Sequence, residues 1–154
     1  MRLVMLIMAL LISGTGSGAA GPYEDALAAY KKGDYATALR LLRPLADQGN
    51  ARAQNNLGAM YDAGRGVPQD YAAAVSWYRK AAEQGYGLGQ QNLAAMYFTG
   101  QGVAQDYVQA HMWWNLSAAQ GDANAAKQRD LVAAKMTPAQ IAEAQKLVRE
   151  WKPK

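Results

Sequence analysis

Apolar residues in the middle of the chain recur at the spacing of an amphipathic helix. From residue 53 they follow at i, i+4, i+7 and i+8, so at about 100° per residue they share one stripe: Ala53, Leu57, Met60 and Tyr61. Gly64 follows the last of them and can adopt the left-handed conformation that ends a helix. Asp70 can then cap a second helix, which we expect over about residues 71–84. The pattern predicts two helices joined by a loop.

This pair of helices is one copy of a tandem repeat. Residues 56–85, shifted by 36 positions, nearly reproduce themselves, and the agreeing residues are Asn92, Leu93, Met96, Tyr97, Gly100, Gly102, Val103, Gln105, Asp106, Tyr107, Ala110, Trp113, Ala118, Gln120 and Gly121. A period of roughly 20–50 residues is typical of proteins whose stacked units cover each other's apolar faces. An earlier copy is shorter, because three residues separate Tyr30 from Asp34 where eight separate Tyr61 from Asp70.

The repeat predicts an all-α fold, an α-solenoid of about three helix-turn-helix units with a C-terminal capping helix. The units are expected at residues 21–50, 51–86 and 87–122. Residues 123–154 have helical composition but lose the repeat pattern, which is typical of a terminal element that turns a polar face to solvent. Within them, Thr137, Pro138 and Gln140 form a helix-start signature. This segment is therefore expected to form capping helices and a basic tail.

The repeated motif carries a resemblance to a known family. Residues 57–85 read LGxxYxxGxGVxxDxxxAxxWxxxAAxxG, which resembles the Sel-one-like repeat, a relative of the tetratricopeptide repeat with a longer loop between its helices. The match covers residues 51–122, and residues 21–50 resemble a tetratricopeptide unit. Ala94 departs from the pattern, which has glycine there. The resemblance implies a scaffold for protein or peptide partners, in families linked to envelope stress, virulence and signalling complexes. It implies no reaction and no cofactor.

The N-terminus predicts export. Arg2 precedes an unbroken apolar run at residues 3–12, and residues 13–21 are small and rich in glycine. Ten apolar residues are fewer than the roughly 20 that cross a bilayer, which favours a cleaved signal peptide over a membrane anchor. Residues 1–20 are the expected signal peptide, with cleavage after Ala19 or Ala20. The mature protein is then periplasmic or secreted, with no stable membrane insertion.

Composition narrows the chemistry and leaves the fold prediction unchanged. The 154 residues are 51% hydrophobic, enough for one ordered domain and too few for two. The chain has no cysteine, which excludes disulfides, thiolate metal sites and cysteine nucleophiles. Residues 127–154 contain 7 Lys and Arg and 3 Asp and Glu. Residues 21–126 contain 8 Lys and Arg and 9 Asp and Glu. The basic excess is best explained as a solvated helix face, so we predict no nucleic-acid partner.

Candidate catalytic residues have structural explanations. His111 is the only histidine, and one histidine without cysteines or a carboxylate cluster does not make a transition-metal site. Ser76 and Ser117 lie inside predicted helices and not on an exposed nucleophile turn. The aspartates that recur at one position of the repeat precede a helix, where N-capping explains them better than paired-carboxylate catalysis: Asp34, Asp70 and Asp106. We therefore predict no catalytic residue, no metal and no cofactor.

The face of the first helices opposite the core is the expected binding surface. On a helical wheel this face carries Arg52, Asn55, Ala59 and Asp62, and adding 36 gives Leu88, Gln91, Ala95 and Phe98. In tetratricopeptide-like arrays the first helices line the concave face, so the two rows would form adjacent strips of a groove. The predicted binding residues are Arg52, Asn55, Asp62, Leu88, Gln91 and Phe98. Phe98 is the anchor candidate, and the alternative is that Phe98 and Leu88 pack under the C-terminal helix or a loop.

The leading functional hypothesis is a non-catalytic adaptor in the bacterial cell envelope that binds a peptide or protein surface in this groove. A second hypothesis is a regulatory subunit or an enzyme acting on cell-wall peptidoglycan, and the lack of a catalytic constellation disfavours the enzyme form. A third is a membrane-surface protein that uses the basic tail. The exposed ends of a short array also allow a homodimer.

Overall fold

The computed structural model describes residues 20–154, and that part of the chain contains helices and no strands. The helices are α1 (Pro22–Lys31), α2 (Tyr35–Asp47), α3 (Ala51–Ala63), α4 (Tyr71–Glu83), α5 (Gly87–Thr99), α6 (Tyr107–Ala118), α7 (Ala123–Ala133) and α8 (Pro138–Glu150). The expected signal peptide, except for its last residue, lies outside the described residues.

The helices form three consecutive pairs, α1 with α2, α3 with α4 and α5 with α6. Each second helix also packs against the first helix of the next pair, so that the units stack in chain order. The prediction of an all-α solenoid of helix-turn-helix repeats is confirmed. Helix α7 packs on α6 as the first helix of a fourth unit would, and α8 folds back onto α6.

Capping side chains set the helix starts, as the sequence predicts. The carboxylates that precede α2, α4 and α6 each accept a hydrogen bond from the backbone N–H three residues later: Asp34, Asp70 and Asp106. Before α8, the Gln140 N–H donates to the Thr137 hydroxyl and the Thr137 N–H donates to the Gln140 side chain, a complete capping box. At the other end of α3, Gly64 has a φ of 64° and caps the helix in the left-handed conformation.

The repeated residues form the core and the contacts between units. Leu57 and Leu93 are fully buried, and Trp77 and Trp113 are nearly so. Gly58 allows the Tyr78 ring to lie against α3, because a Cβ at Gly58 would approach that ring to 2.6 Å. The residues of the repeat motif are therefore explained by packing.

The loop inserted in the second and third units packs onto the preceding unit. Gly102 has a φ of 69°, and a Cβ there would overlap the backbone carbonyl of Tyr71, where α4 begins. Gly66 makes the equivalent approach to Tyr35, where α2 begins, and its Cβ would lie 3.0 Å from the backbone oxygen. The second glycine of the GxGV motif thus joins consecutive units.

Arginines stacked on aromatic rings also bridge the units. The Arg52 guanidinium lies 4.2 Å above the Tyr23 ring, and Arg79 donates a hydrogen bond of 3.0 Å to the Tyr97 hydroxyl of the next unit. The Arg65 guanidinium donates to the Tyr30 hydroxyl. Cation–π contacts of this kind contribute about 0.5–1 kcal/mol each at exposed positions, so they supplement the apolar core.

Candidate functional site

The first helices of the array carry equivalent positions, spaced 36 residues apart, on the side that faces away from the core of their own unit. We call it the first-helix face and define it by three rows of equivalent positions: Arg52, Asn55, Ala59 and Asp62 on α3; Leu88, Gln91, Ala95 and Phe98 on α5; and Asn124, Lys127, Leu131 and Ala134 at α7. The third row is not among the predicted positions, because α7 lacks the LGxxY motif. The signal that could have found it is the unbroken register, since α7 starts 36 residues after α5.

Apolar side chains are exposed on this face. Leu88 is 50% exposed and Leu131 is 54% exposed, and no other large hydrophobic residue within the described range is similarly exposed. Both belong to the first-helix face, one on α5 and one on α7. An isolated exposed leucine needs no explanation, but two of them on one face of a repeat array favour an interaction surface.

A cavity of about 360 Å³ opens on the first-helix face between α5 and α7. The rings of Phe98 and Trp114 line it, and their centroids are 5.6 Å apart. Phe98 also stacks on Tyr107 at 5.5 Å, so two rings of α6 hold it in place. The other lining residues are uncharged, namely Gln91, Asn92, Ala95, Thr99, Asn124 and Gln128. The cavity combines an aromatic wall with four side-chain amides.

The equivalent junction one unit earlier is closed. There the Asn92 amide donates a hydrogen bond of 2.9 Å to the Asn55 side-chain oxygen, which joins α5 to α3. The Tyr78 ring stands where Trp114 stands one unit later, and its hydroxyl donates to the Asp62 carboxylate at 3.3 Å. Burial is the main reason that the pKa of Tyr78 is raised, so this hydroxyl remains a donor at neutral pH.

Asn55 is a predicted binding residue, and the structure places it inside the α3–α5 junction. Its side chain is 6% exposed, because α5 packs close enough to α3 for Asn92 to reach it. Wheel geometry places Asn55 away from its own unit's core, but it cannot show how closely the next unit approaches. A short asparagine on each helix closes the junction, whereas the glutamine at the equivalent position, Gln91, lines an open one.

The structure brings together two of the six predicted binding residues, Gln91 and Phe98. Arg52 is exposed but rests on Tyr23, and Asp62 is half-buried against Tyr78. Leu88 lines a separate shallow cavity of about 420 Å³ beside the loop at Gly121. Phe98 packs on the second helix of its own unit and not under α8. Sequence reasoning missed Trp114, Asn124 and Gln128, which come from two other helices.

His111 and the two serines lie where the sequence places them, inside or along helices. His111 is 5% exposed on α6, and Ser117 is buried and donates to the Asp122 carboxylate at 3.2 Å. Ser76 is exposed on α4. Within residues 20–154, no cluster of three His, Asp or Glu side chains has an arrangement suited to a metal ion. None of the described helices is long and apolar enough to span a membrane.

Stability is expected to fall between neutral and mildly acidic pH because of His111. Burial is the main cause that lowers its pKa below 6.5, and Arg129 adds to the effect. The unfolded chain therefore binds a proton more readily than the folded protein, so the free energy of unfolding declines as the pH falls below about 6.5. Urea denaturation between about pH 5 and 8 measures this decline. His111→Val, which copies Val75 of the preceding unit, should flatten it; an unchanged slope would contradict the assignment.

Helix pairs that stack in chain order, with an amide-rich face on their first helices, define this protein as an α-solenoid repeat protein. The Sel1 repeat model matches residues 21–50, 51–86 and 87–122, and the chain belongs to the Sel1 repeat family. Proteins built from Sel1 repeats generally mediate protein–protein interactions and are generally non-catalytic. No curated protein sequence matches the chain.

Two of the solved structures that share this fold are also similar in sequence. A protective antigen of uropathogenic Escherichia coli strains, c5321, displays an SLR fold and is 30% identical with a TM-score of 0.81, covering 84% of this chain and 29% of that one. A Sel1 repeat protein from Oxalobacter formigenes is 34% identical with a TM-score of 0.70. That match covers 73% of this chain and 46% of the Oxalobacter formigenes chain. This chain therefore spans less than half the length of either structure.

Proposed function

We propose that this protein is a non-catalytic scaffold that binds a segment of a partner protein in the cavity between α5 and α7. The difference between two equivalent junctions of one array carries the proposal. Asn55 and Asn92 close the α3–α5 junction, whereas Gln91 and Gln128 line an open cavity at the α5–α7 junction. The substitutions that distinguish these two junctions therefore coincide with the opening of a ligand-sized cavity at the second of them.

The chemistry of the cavity suits an extended, uncharged peptide segment. Phe98 and Trp114 offer an aromatic surface for one bulky apolar side chain of the partner. Side-chain amides both donate and accept, so Gln91, Asn124 and Gln128 can pair with the N–H and C=O groups of a peptide backbone. The lining has no charge to pair with an acidic or basic side chain, whose desolvation would oppose binding. Leu88 and Leu131 add apolar contacts outside the cavity.

A peptide library displayed against the purified protein tests the cavity directly. We expect enriched peptides to share one bulky apolar residue within an uncharged stretch. Phe98→Ala should lower the affinity for a selected peptide by about tenfold or more, since it removes an anchoring contact of more than about 1.4 kcal/mol. Fluorescence polarisation with the labelled peptide provides the dissociation constants.

Asp62→Ala is the matched control, because Asp62 holds the same repeat position as Phe98 one unit earlier and lies outside the cavity. The dissociation constant of this variant for the selected peptide should stay within about twofold of the wild-type value. Equal losses for both variants would point to a general effect on the array. Retained binding by Phe98→Ala, or enrichment of charged peptides, would refute the cavity as the binding site.

The proposal places the scaffold outside the cytoplasm. An arginine, ten apolar residues and a small-residue segment within residues 1–21 support export through a cleaved signal peptide. Mass spectrometry of the protein recovered from the envelope and culture medium should find a new N-terminus at residue 20 or 21. Recovery of the uncleaved chain from the cytoplasm alone would overturn the location while leaving the peptide-binding test valid.

A further inference from the structure

The junction of α6, α7 and α8 carries polar residues at positions that are apolar one unit earlier. Val75, Leu93 and Ala94 are buried in the core at 3%, 0% and 0% exposure. Thirty-six residues later the same positions hold His111, Arg129 and Asp130. A polar outer face is expected at the end of a repeat array, but His111 is itself 5% exposed and so belongs to the interior.

These polar residues line a further cavity, of about 380 Å³. It exists because α8 returns to α6 and contributes Ile141 and Gln145 to the wall. The remaining lining residues are His111 and Asn115 from α6 and Arg129, Asp130 and Ala133 from α7. None of these residues lines the α5–α7 cavity of the first-helix face, so the two sites are separate.

The charged groups of the cavity keep hydrogen-bonding capacity for a ligand. Arg129 binds one oxygen of Asp130 through Nε and Nη2 at 2.9 Å, and donates from Nη1 to the Asn115 side chain at 3.2 Å. A guanidinium has about five N–H donors. Among the described residues, some of the Arg129 donors and the second oxygen of Asp130 therefore have no hydrogen-bond partner. The buried Nδ1 of His111 likewise lacks a hydrogen-bond partner among residues 20–154.

We propose that this cavity binds a small zwitterion with the charge separation of an aliphatic α-amino acid. Its carboxylate would accept hydrogen bonds from Arg129, and its ammonium group would donate to the free oxygen of Asp130. Ala133 and Ile141 provide an apolar surface for a short side chain. A simple anion would be repelled by Asp130 and a simple cation by Arg129, so the adjacent pair favours a ligand that carries both charges.

His111 provides an unambiguous reporter, because it is the only histidine of the chain. The experiment uses tag-free protein labelled with ¹⁵N-histidine and follows the imidazole nitrogen resonances during titration with L-alanine, acetate or ethylammonium. We expect L-alanine to shift the resonances saturably, with a dissociation constant of roughly millimolar order. Acetate and ethylammonium should each bind at least about tenfold more weakly, since each satisfies one of the two charges.

Two variants separate recognition of the two charges. Arg129→Gln should abolish saturable binding of L-alanine. Asp130→Asn should reduce the affinity for L-alanine about tenfold without weakening the binding of acetate. Arg79→Gln is the matched control, because it removes a half-buried arginine from the position equivalent to Asn115 one unit earlier. Circular dichroism verifies that each variant is folded. A linear, non-saturating response to L-alanine, or equal affinity for acetate and L-alanine, would overturn the proposal.

Discussion

Gly102→Ala is expected to lower the free energy of unfolding by about 2–5 kcal/mol. The backbone of Gly102 is left-handed, which costs a residue with a Cβ roughly 1–2 kcal/mol. The Cβ would also overlap the backbone of Tyr71 and Ala72, and such overpacking costs roughly 1–3 kcal/mol. Because the obstructing atoms are backbone, a change of side-chain rotamer cannot relieve the overlap. Urea denaturation followed by circular dichroism measures the loss.

Gly33→Ala is the control that isolates the clash from the backbone penalty. Gly33 is also left-handed, with a φ of 80°, but apart from its own chain neighbours no heavy atom lies within 4 Å of the site of its Cβ. We expect Gly33→Ala to lower the free energy of unfolding by only about 1–2 kcal/mol. The difference between the two variants is then the cost of separating the inserted loop from α4. If both variants lose the same amount, the loop does not hold the units together as the structure indicates.

Trp151→Ala is expected to destabilise the protein by about 2–4 kcal/mol, somewhat below the usual loss for a fully buried tryptophan. The half-buried Trp151 ring packs edge-on against Trp113 at 6.3 Å and reaches Gly85 at the end of α4. Beyond it, the Lys154 backbone N–H donates to the Glu83 carbonyl at 2.8 Å. The C-terminal segment thus fastens α8 to two earlier units, so thermal unfolding should shift to lower temperature.

Lys154→Ala separates the role of the ring from that of the ion pair. The Lys154 ammonium lies 3.2 Å from the Glu83 carboxylate, but its side chain is 74% exposed. An exposed pair of this kind contributes about 0–1 kcal/mol, so this variant should stay close to the original stability. A Trp151→Ala loss no greater than that of Lys154→Ala would show that α8 is held by its own helix contacts, such as the buried Ala144.

The sequence was sufficient for the repeat, the capping and the core, because these depend on local chemistry. Asp70 caps α4 through an amide three residues away, and Leu57 is buried by a periodicity that one helix imposes. The residues on the face opposite that stripe could likewise be predicted from the periodicity of a single helix. The sequence also located Phe98 on that face, although it could not show the two α6 rings that hold it.

What the sequence could not show is the distance between neighbouring units. Asn55 lies on the predicted face, yet the approach of α5 buries it against Asn92, and this approach depends on residues 36 positions apart. For the same reason, the sequence could not show that Trp114 and Gln128 line the α5–α7 cavity. Nor could it show that His111 and Arg129 line one cavity together. These features are set by packing between helices.

By itself, the sequence determined that the chain is a solenoid of helix pairs, which capping residues start α2, α4, α6 and α8, and which stripe of the repeat faces its own core. Hydrophobic periodicity and capping act within one or two helical turns, so they can be read along the chain. Only the tertiary structure decided which junction is open and that α8 turns back to form the cavity at His111. Those outcomes depend on how side chains from three helices fill a shared volume, and no local pattern records that fit.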